Sequence, residues 1–218
     1  MDPAVLQRVF LMIPPLLLAI TVHEVAHGYI AYRKGDFTAK LLGRLTLNPI
    51  KHIDPIGTVL FPLMLAMSGT GVIFGWAKPV PVNSFNFKSP RKDMVMVSLA
   101  GPVSNFLLAL VFALLLRIIM WVPGAGGSSI MAPLADMMLF GIRISIILGV
   151  FNLLPIHPLD GSHIMEGLLP AEQAKAYSRL APYGWMIIIG LMFTGILWKI
   201  LGPIYAVFFI FIMKIFGF

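Results

Sequence analysis

Long apolar runs recur along the whole chain, each close to the roughly 20 residues that carry a helix across the hydrocarbon core of a bilayer. Between them stand only sixteen basic and nine acidic side chains, 11% of 218 residues, where a soluble domain carries about 25%. So few charges cannot clothe a water-soluble globule of this length. The mean hydropathy of +0.92 agrees. The expected fold is an all-α polytopic membrane protein with about five to six apolar segments, forming a single domain over residues 1–218.

A formal net charge of +7 could point to nucleic acid, but the basic residues fall in short stretches between apolar runs. That is the pattern of loops obeying the positive-inside rule, so the expected partner is the lipid bilayer and not a nucleic acid. Cysteine is absent, which excludes a disulfide framework, a thiolate metal site and a cysteine nucleophile. Any metal must be held by His and carboxylates. The first run is preceded by Asp2 and followed by no small-residue cleavage site, so it reads as a retained helix.

That run, residues 4–32, ends in Arg33-Lys34-Gly35, a basic last turn followed by a helix-stopping glycine. In residues 38–50, Leu41, Leu45 and Leu47 interleave with Lys40, Arg44 and Thr46, which predicts a short β strand or hairpin limited by Pro49. Residues 53–74 are apolar enough to span but contain Pro55, Gly57, Pro62, Gly69 and Gly71, which suits a broken or re-entrant segment. Residues 94–122 and 130–156 read as spans joined by the uncharged turn 123–129, and residues 183–218 as one helix plus a shorter one, or as two helices.

The first helix closes with His23-Glu24-Val25-Ala26-His27. Residues four apart share a helix face, so both imidazoles can reach one Zn²⁺. Glu24 is offset by one position, beside the metal, where it can take a proton from the attacking water. Ionisable groups at the end of a spanning helix mark functional sites by default. Two His leave a zinc site short of its usual three protein ligands. Candidates for the third are Asp54, Asp136, Asp160, His52, His157 and His163. Asp160 stands out, because prolines break the helix just before it and Gly161 lets the backbone approach another element.

Three motifs occur in order: His23-Glu24-x-x-His27, Ala100-Gly101-Pro102-x-x-Asn105, and Asn152-x-x-Pro155 leading to Leu159-Asp160-Gly161. Together they resemble the site-2 protease family of intramembrane zinc metalloproteases, over most of the chain. The compact length and the segment Gly75-Trp76-Ala77-Lys78-Pro79-Val80-Pro81-Val82-Asn83 resemble its minimal members, which lack PDZ and CBS domains. The resemblance implies one Zn²⁺ per chain bound by His23, His27 and Asp160, with Glu24 as general base. It implies cleavage within or near the transmembrane helix of a membrane-protein substrate, with Asn105 and Asn152 contacting or orienting that substrate. Position 157 is commonly proline in this motif; here it is His157, a competing ligand three residues before Asp160 or, more plainly, a loop histidine.

Arg33, Lys34, Lys40, Arg44 and Lys51 follow the first helix, so its C-terminal end and the His pair are expected toward the cytoplasmic side of a multi-pass cell-membrane protein. Three crossings after it would carry Asp160 to the wrong side. Residues 53–74 are therefore expected to dip in and return, or to lie at the interface. The rival from another class is a membrane ion or metal transporter using the same His/Asp cluster as an ion site. Glu24 discriminates, since a transport site needs no base.

Overall fold

The first apolar run folds as one helix, α1 (Pro3–Arg33), with Arg33 in its last turn, where a cation complements the helix dipole. In this computed structural model the described residues are 3–60, 64, 75–122 and 130–218. Gly35 leaves α1 at φ 104°, a left-handed conformation that favours glycine. The Asp36 N–H turns back onto the Ala31 carbonyl at 2.9 Å, closing the helix end.

The hairpin expected at residues 38–50 does not form: among the described residues there is no strand. The segment is instead a helical turn, α2 (Thr38–Leu41), followed by a 3-10 turn at Pro49–His52. Two local devices outweigh the alternation. Asp36 Oδ1 accepts from both the backbone N–H and the hydroxyl of Thr38, starting a turn. Gly43 then sits at φ 63°, while the Arg44 N–H returns to the Ala39 carbonyl at 2.9 Å, stopping the turn as a helix C-terminus. Asp36 is fully buried and also accepts from Asn83 N and Asn86 Nδ2, each at 2.7 Å. Burial alone would raise its carboxyl, but these donors outweigh that and hold it below the usual carboxylate range.

The remaining helices are α3 (Pro90–Trp121), α4 (Met131–Asn152), α5 (Asp160–Leu168), α6 (Ala171–Ser178), α7 (Gly184–Phe193) and α8 (Ile196–Ile215). Four stretches are long and apolar enough to cross a membrane: Phe10–Arg33, Pro90–Trp121, Met131–Asn152 and Ile196–Ile215. The all-helical polytopic class therefore stands, with fewer full spans among the described residues than the expected segments. At 10 residues, α7 is about 15 Å long and cannot cross. Gly195, at φ 72°, separates it from α8.

The core lies where α3, α4 and α8 meet, built on Leu108, Phe112, Leu116, Ile142, Ile146 and Ile212. At Gly141 a Cβ would come within 2.7 Å of the Phe112 ring, so the close approach of α3 to α4 depends on that glycine. The opposite face of α3 exposes Leu107, Val111, Leu114 and Ile118, which suits lipid.

Most of residues 53–74, on which the re-entrant expectation falls, lie outside the described residues; Pro55–Leu60 forms a π-helical turn. The ends of the connection are well defined. Lys34 Nζ at the end of α1 pairs with Asp93 Oδ1 near the start of α3 at 3.1 Å. The Arg91 guanidinium donates to the Glu166 and Leu169 carbonyls at the end of α5. The end of α1, the start of α3 and α5 thus share one end of the bundle.

Candidate metal centre

Helical spacing on α1 puts the His23 and His27 Nε2 atoms 3.0 Å apart. Asp160, the first residue of α5, completes the group: Oδ2 lies 3.2 Å from His23 Nε2 and Oδ1 lies 3.2 Å from His27 Nε2. Two ligands about 2.0–2.1 Å from a tetrahedral ion are about 3.3 Å apart, so these separations suit one shared metal. Among the described residues these three form the group of His and acidic side chains that could hold an ion. Asp160 Oδ2 is buried and, although 3.2 Å from His23 Nε2, makes no hydrogen bond, so an ion could take it up without displacing a partner.

The far sides of both rings are also satisfied. Val97 O accepts from His27 Nδ1 at 2.7 Å, which leaves Nε2 with its lone pair free. Pro102 withdraws the donor that the neighbouring Ser98 carbonyl would receive, so the α3 ladder is already interrupted beside Val97. Asn105 is fully buried, its Nδ2 atom 3.1 Å from His23 Nδ1 and its Oδ1 without a partner. With the amide turned by 180°, Oδ1 accepts from Nδ1–H, which leaves the lone pair of His23 on Nε2. Either way Asn105 reaches the site through His23.

Two glycines make room. A Cβ on Gly101 of α3 would collide with His27 Nε2 and come within 2.6 Å of His23 Cε1. Its absence is what allows α3 to back the imidazole pair. A Cβ on Gly161 would strike the Leu153 and Leu154 carbonyls, so glycine there lets α5 start tight against the end of α4 and presents Asp160 to α1. That is the close approach expected from the sequence.

Glu24 stands beside the group with Oε2 accepting from the backbone N–H of Val80 at 2.7 Å. Asn152, half-buried at the end of α4, donates Nδ2 to the Leu148 carbonyl at 2.9 Å. His157 is buried and outside the trio: its Nε2 lies 3.0 Å from Glu166 Oε1, and its ring is 5.0 Å from that of Tyr177. His163 approaches the other oxygen of Glu166 at 3.5 Å, and His52 Nε2 bonds the Thr46 carbonyl at 2.9 Å. Sequence reasoning missed the Val80 contact, the Val97 carbonyl and the clearance at Gly101. Gly101 and Val80 stood within quoted motifs, but neither contact could be read from them.

A bundle of apolar spanning helices enclosing a His-Glu-x-x-His helix and a facing Asp defines a membrane-embedded metallopeptidase class, and comparison with known proteins agrees. The model of peptidase family M50 matches residues 117–195, a stretch that includes Asp160. The chain belongs to that family, the site-2 proteases. It is 42% identical over 195 residues to YwhC of Bacillus subtilis, described as a candidate zinc metalloprotease, covering 86% of this chain and 84% of that protein. It is 32% identical over 186 residues to Rip2 of Mycolicibacterium smegmatis, described in the same terms, covering 84% of this chain and 67% of that one. No solved structure matches.

Proposed function

We propose that this M50 zinc metalloprotease is an intramembrane endopeptidase that hydrolyses a peptide bond within or near the transmembrane helix of a membrane-protein substrate. The observation that carries the reading is the meeting of His23, His27 and Asp160, with Glu24 beside them, among helices apolar enough to span a bilayer. When bound, zinc supplies a Lewis acid that makes water a nucleophile near neutral pH and polarises the scissile carbonyl. His23, His27 and Asp160 hold it, and Val97 O and Asn105 fix the two rings. Glu24 accepts the proton of the attacking water and passes it to the leaving amine. The substrate helix must unwind locally, since its carbonyls are otherwise tied up in hydrogen bonds. Asn152, with Nδ2 committed to Leu148, offers its Oδ1 to a freed substrate N–H. Asn105 orients the substrate indirectly, by setting His23.

The test is to map, by mass spectrometry, the cuts made in a single-span substrate reconstituted with the enzyme in liposomes. Cuts inside the apolar span or within a turn of it are expected. Cuts confined to soluble regions would contradict the intramembrane reading.

The site faces the cytoplasmic end of the bundle in this proposal, because Lys34, Lys40, Arg44, Lys51, Lys88, Arg91 and Lys92 cluster in the connections that leave and enter that end. The chain has no cysteine, so Ser84→Cys adds a single label site. An impermeant maleimide is expected to react with it from the cytoplasmic face only; labelling only from the outer face would reverse the orientation.

A further inference from the structure

We propose that the backbone N–H of Val80, bracketed by two prolines, is the positioning group that holds Glu24 in working orientation; this rests on the reading of Glu24 as general base. Glu24 Oε2 accepts from that N–H at 2.7 Å. Pro79 and Pro81 have no N–H, so within Pro79-Val80-Pro81 the donor is Val80 alone. Lys78 and Val80 each precede a proline and are thereby restricted to extended backbone, which fixes where that single donor points.

The rest of the segment is clamped so that the donor stays in place. On one side, the Arg44 guanidinium is buried and donates to the Lys78 and Pro79 carbonyls at 2.8 and 3.3 Å. The Lys78 N–H returns to the His52 carbonyl at 2.9 Å. On the other side, the Asn83 N–H is held by Asp36 Oδ2 at 2.7 Å. The Val80 side chain is buried against α1 at Gly28, where a Cβ would come within 2.9 Å of Val80 Cγ1. Gly28 directly follows the ligand His27, so the same turn of α1 that carries the His pair also seats the donor.

An unanchored glutamate side chain samples several rotamers, and a base must sit within hydrogen-bond reach of the proton it takes. Committing Oε2 to a fixed amide leaves Oε1 as the oxygen that takes the proton. The proline bracket keeps the donor from turning away, so one side of Glu24 is pre-organised before substrate arrives.

The experiment replaces Val80 by its α-hydroxy acid in the full-length chain, which exchanges one N–H for an ester oxygen and keeps the side chain and both prolines. The readouts are kcat and KM on a quenched fluorogenic peptide built around an apolar helix, zinc per chain, and Tm. A charge-assisted hydrogen bond of this kind corresponds to roughly a ten- to hundredfold fall in kcat. KM, zinc content and Tm are expected to stay at wild-type values. The same ester at Val82 is expected to leave kcat unchanged. Unchanged kcat in the Val80 ester would overturn the proposal, as would a fall in kcat matched by lost zinc, raised KM or lowered Tm, since the segment would then be structural. Full activity of Glu24→Gln would instead defeat the general-base reading, so the two failures are distinguishable.

Discussion

Glu24→Gln is expected to keep one zinc per chain and to cleave substrate about 10²–10⁴-fold more slowly than wild type, the usual contribution of a positioned acid or base. Glutamine has the same shape, and its carbonyl oxygen can still accept from the Val80 N–H, so the local structure has no reason to move. His23, His27 and Asp160 are untouched, and the metal stays. What is lost is the capacity to take a proton from water, because an amide is not a base at neutral pH. The variant also separates the protease from a transporter that uses the same cluster as an ion site. A transport site would tolerate the amide in place of Glu24, whereas hydrolysis depends on the carboxylate. Rates are measured with purified protein on a membrane substrate, with zinc counted in the same samples.

Gly101→Ala is expected to lower zinc affinity by at least about ten- to a hundredfold, the range seen when groups that orient metal ligands are removed. The new methyl would point at His27 Nε2 and His23 Cε1, on the ring edges that face Asp160. Helix α3 is packed against α1 and α4 and cannot simply retreat. The imidazoles must therefore turn, and their nitrogens cease to converge. Overpacking of this kind typically also costs about 1–3 kcal/mol of stability. Gly190→Ala makes the comparison clean: it is the same change within α7, where a Cβ meets nothing within 4 Å. It is expected to leave zinc binding unchanged. Zinc affinity measured against a competing chelator, with Tm alongside, tests both.

The spans and the convergence of His23, His27 and Asp160 were legible because each depends on local rules. Charge scarcity gave the membrane class, and i, i+4 spacing put His23 and His27 on one face. Asp160 was legible through the broken helix before it and the glycine after it, which the structure explains by the close approach of Gly161 to the Leu153 and Leu154 carbonyls. The hairpin was misread because the alternation of Leu41, Leu45 and Leu47 is weaker than the turn-starting Asp36 and the turn-ending Gly43. Those two residues were visible in the sequence, but the partners of Asp36 at Asn83 and Asn86 were not.

The contacts that sequence could not supply are all made across long separations by backbone atoms or by missing atoms. Val97 O on His27 Nδ1 spans 70 positions, and Val80 N–H on Glu24 spans 56. A main-chain carbonyl or amide carries no residue signature, so neither contact can be read from side-chain identity. Asn105 shows the complementary case: its place in a motif was evident, but its burial against His23 required the packing of α3 on α1.

Metal analysis of the purified protein beside His23→Ala and Asp160→Ala tests the central claim most directly, because it asks whether residues 137 positions apart form one ligand set. The wild type is expected to carry one zinc per chain, and each variant to lose it while still inserting and folding in detergent. Full zinc occupancy in the Asp160→Ala protein, or none in the wild type after zinc loading, would contradict the account.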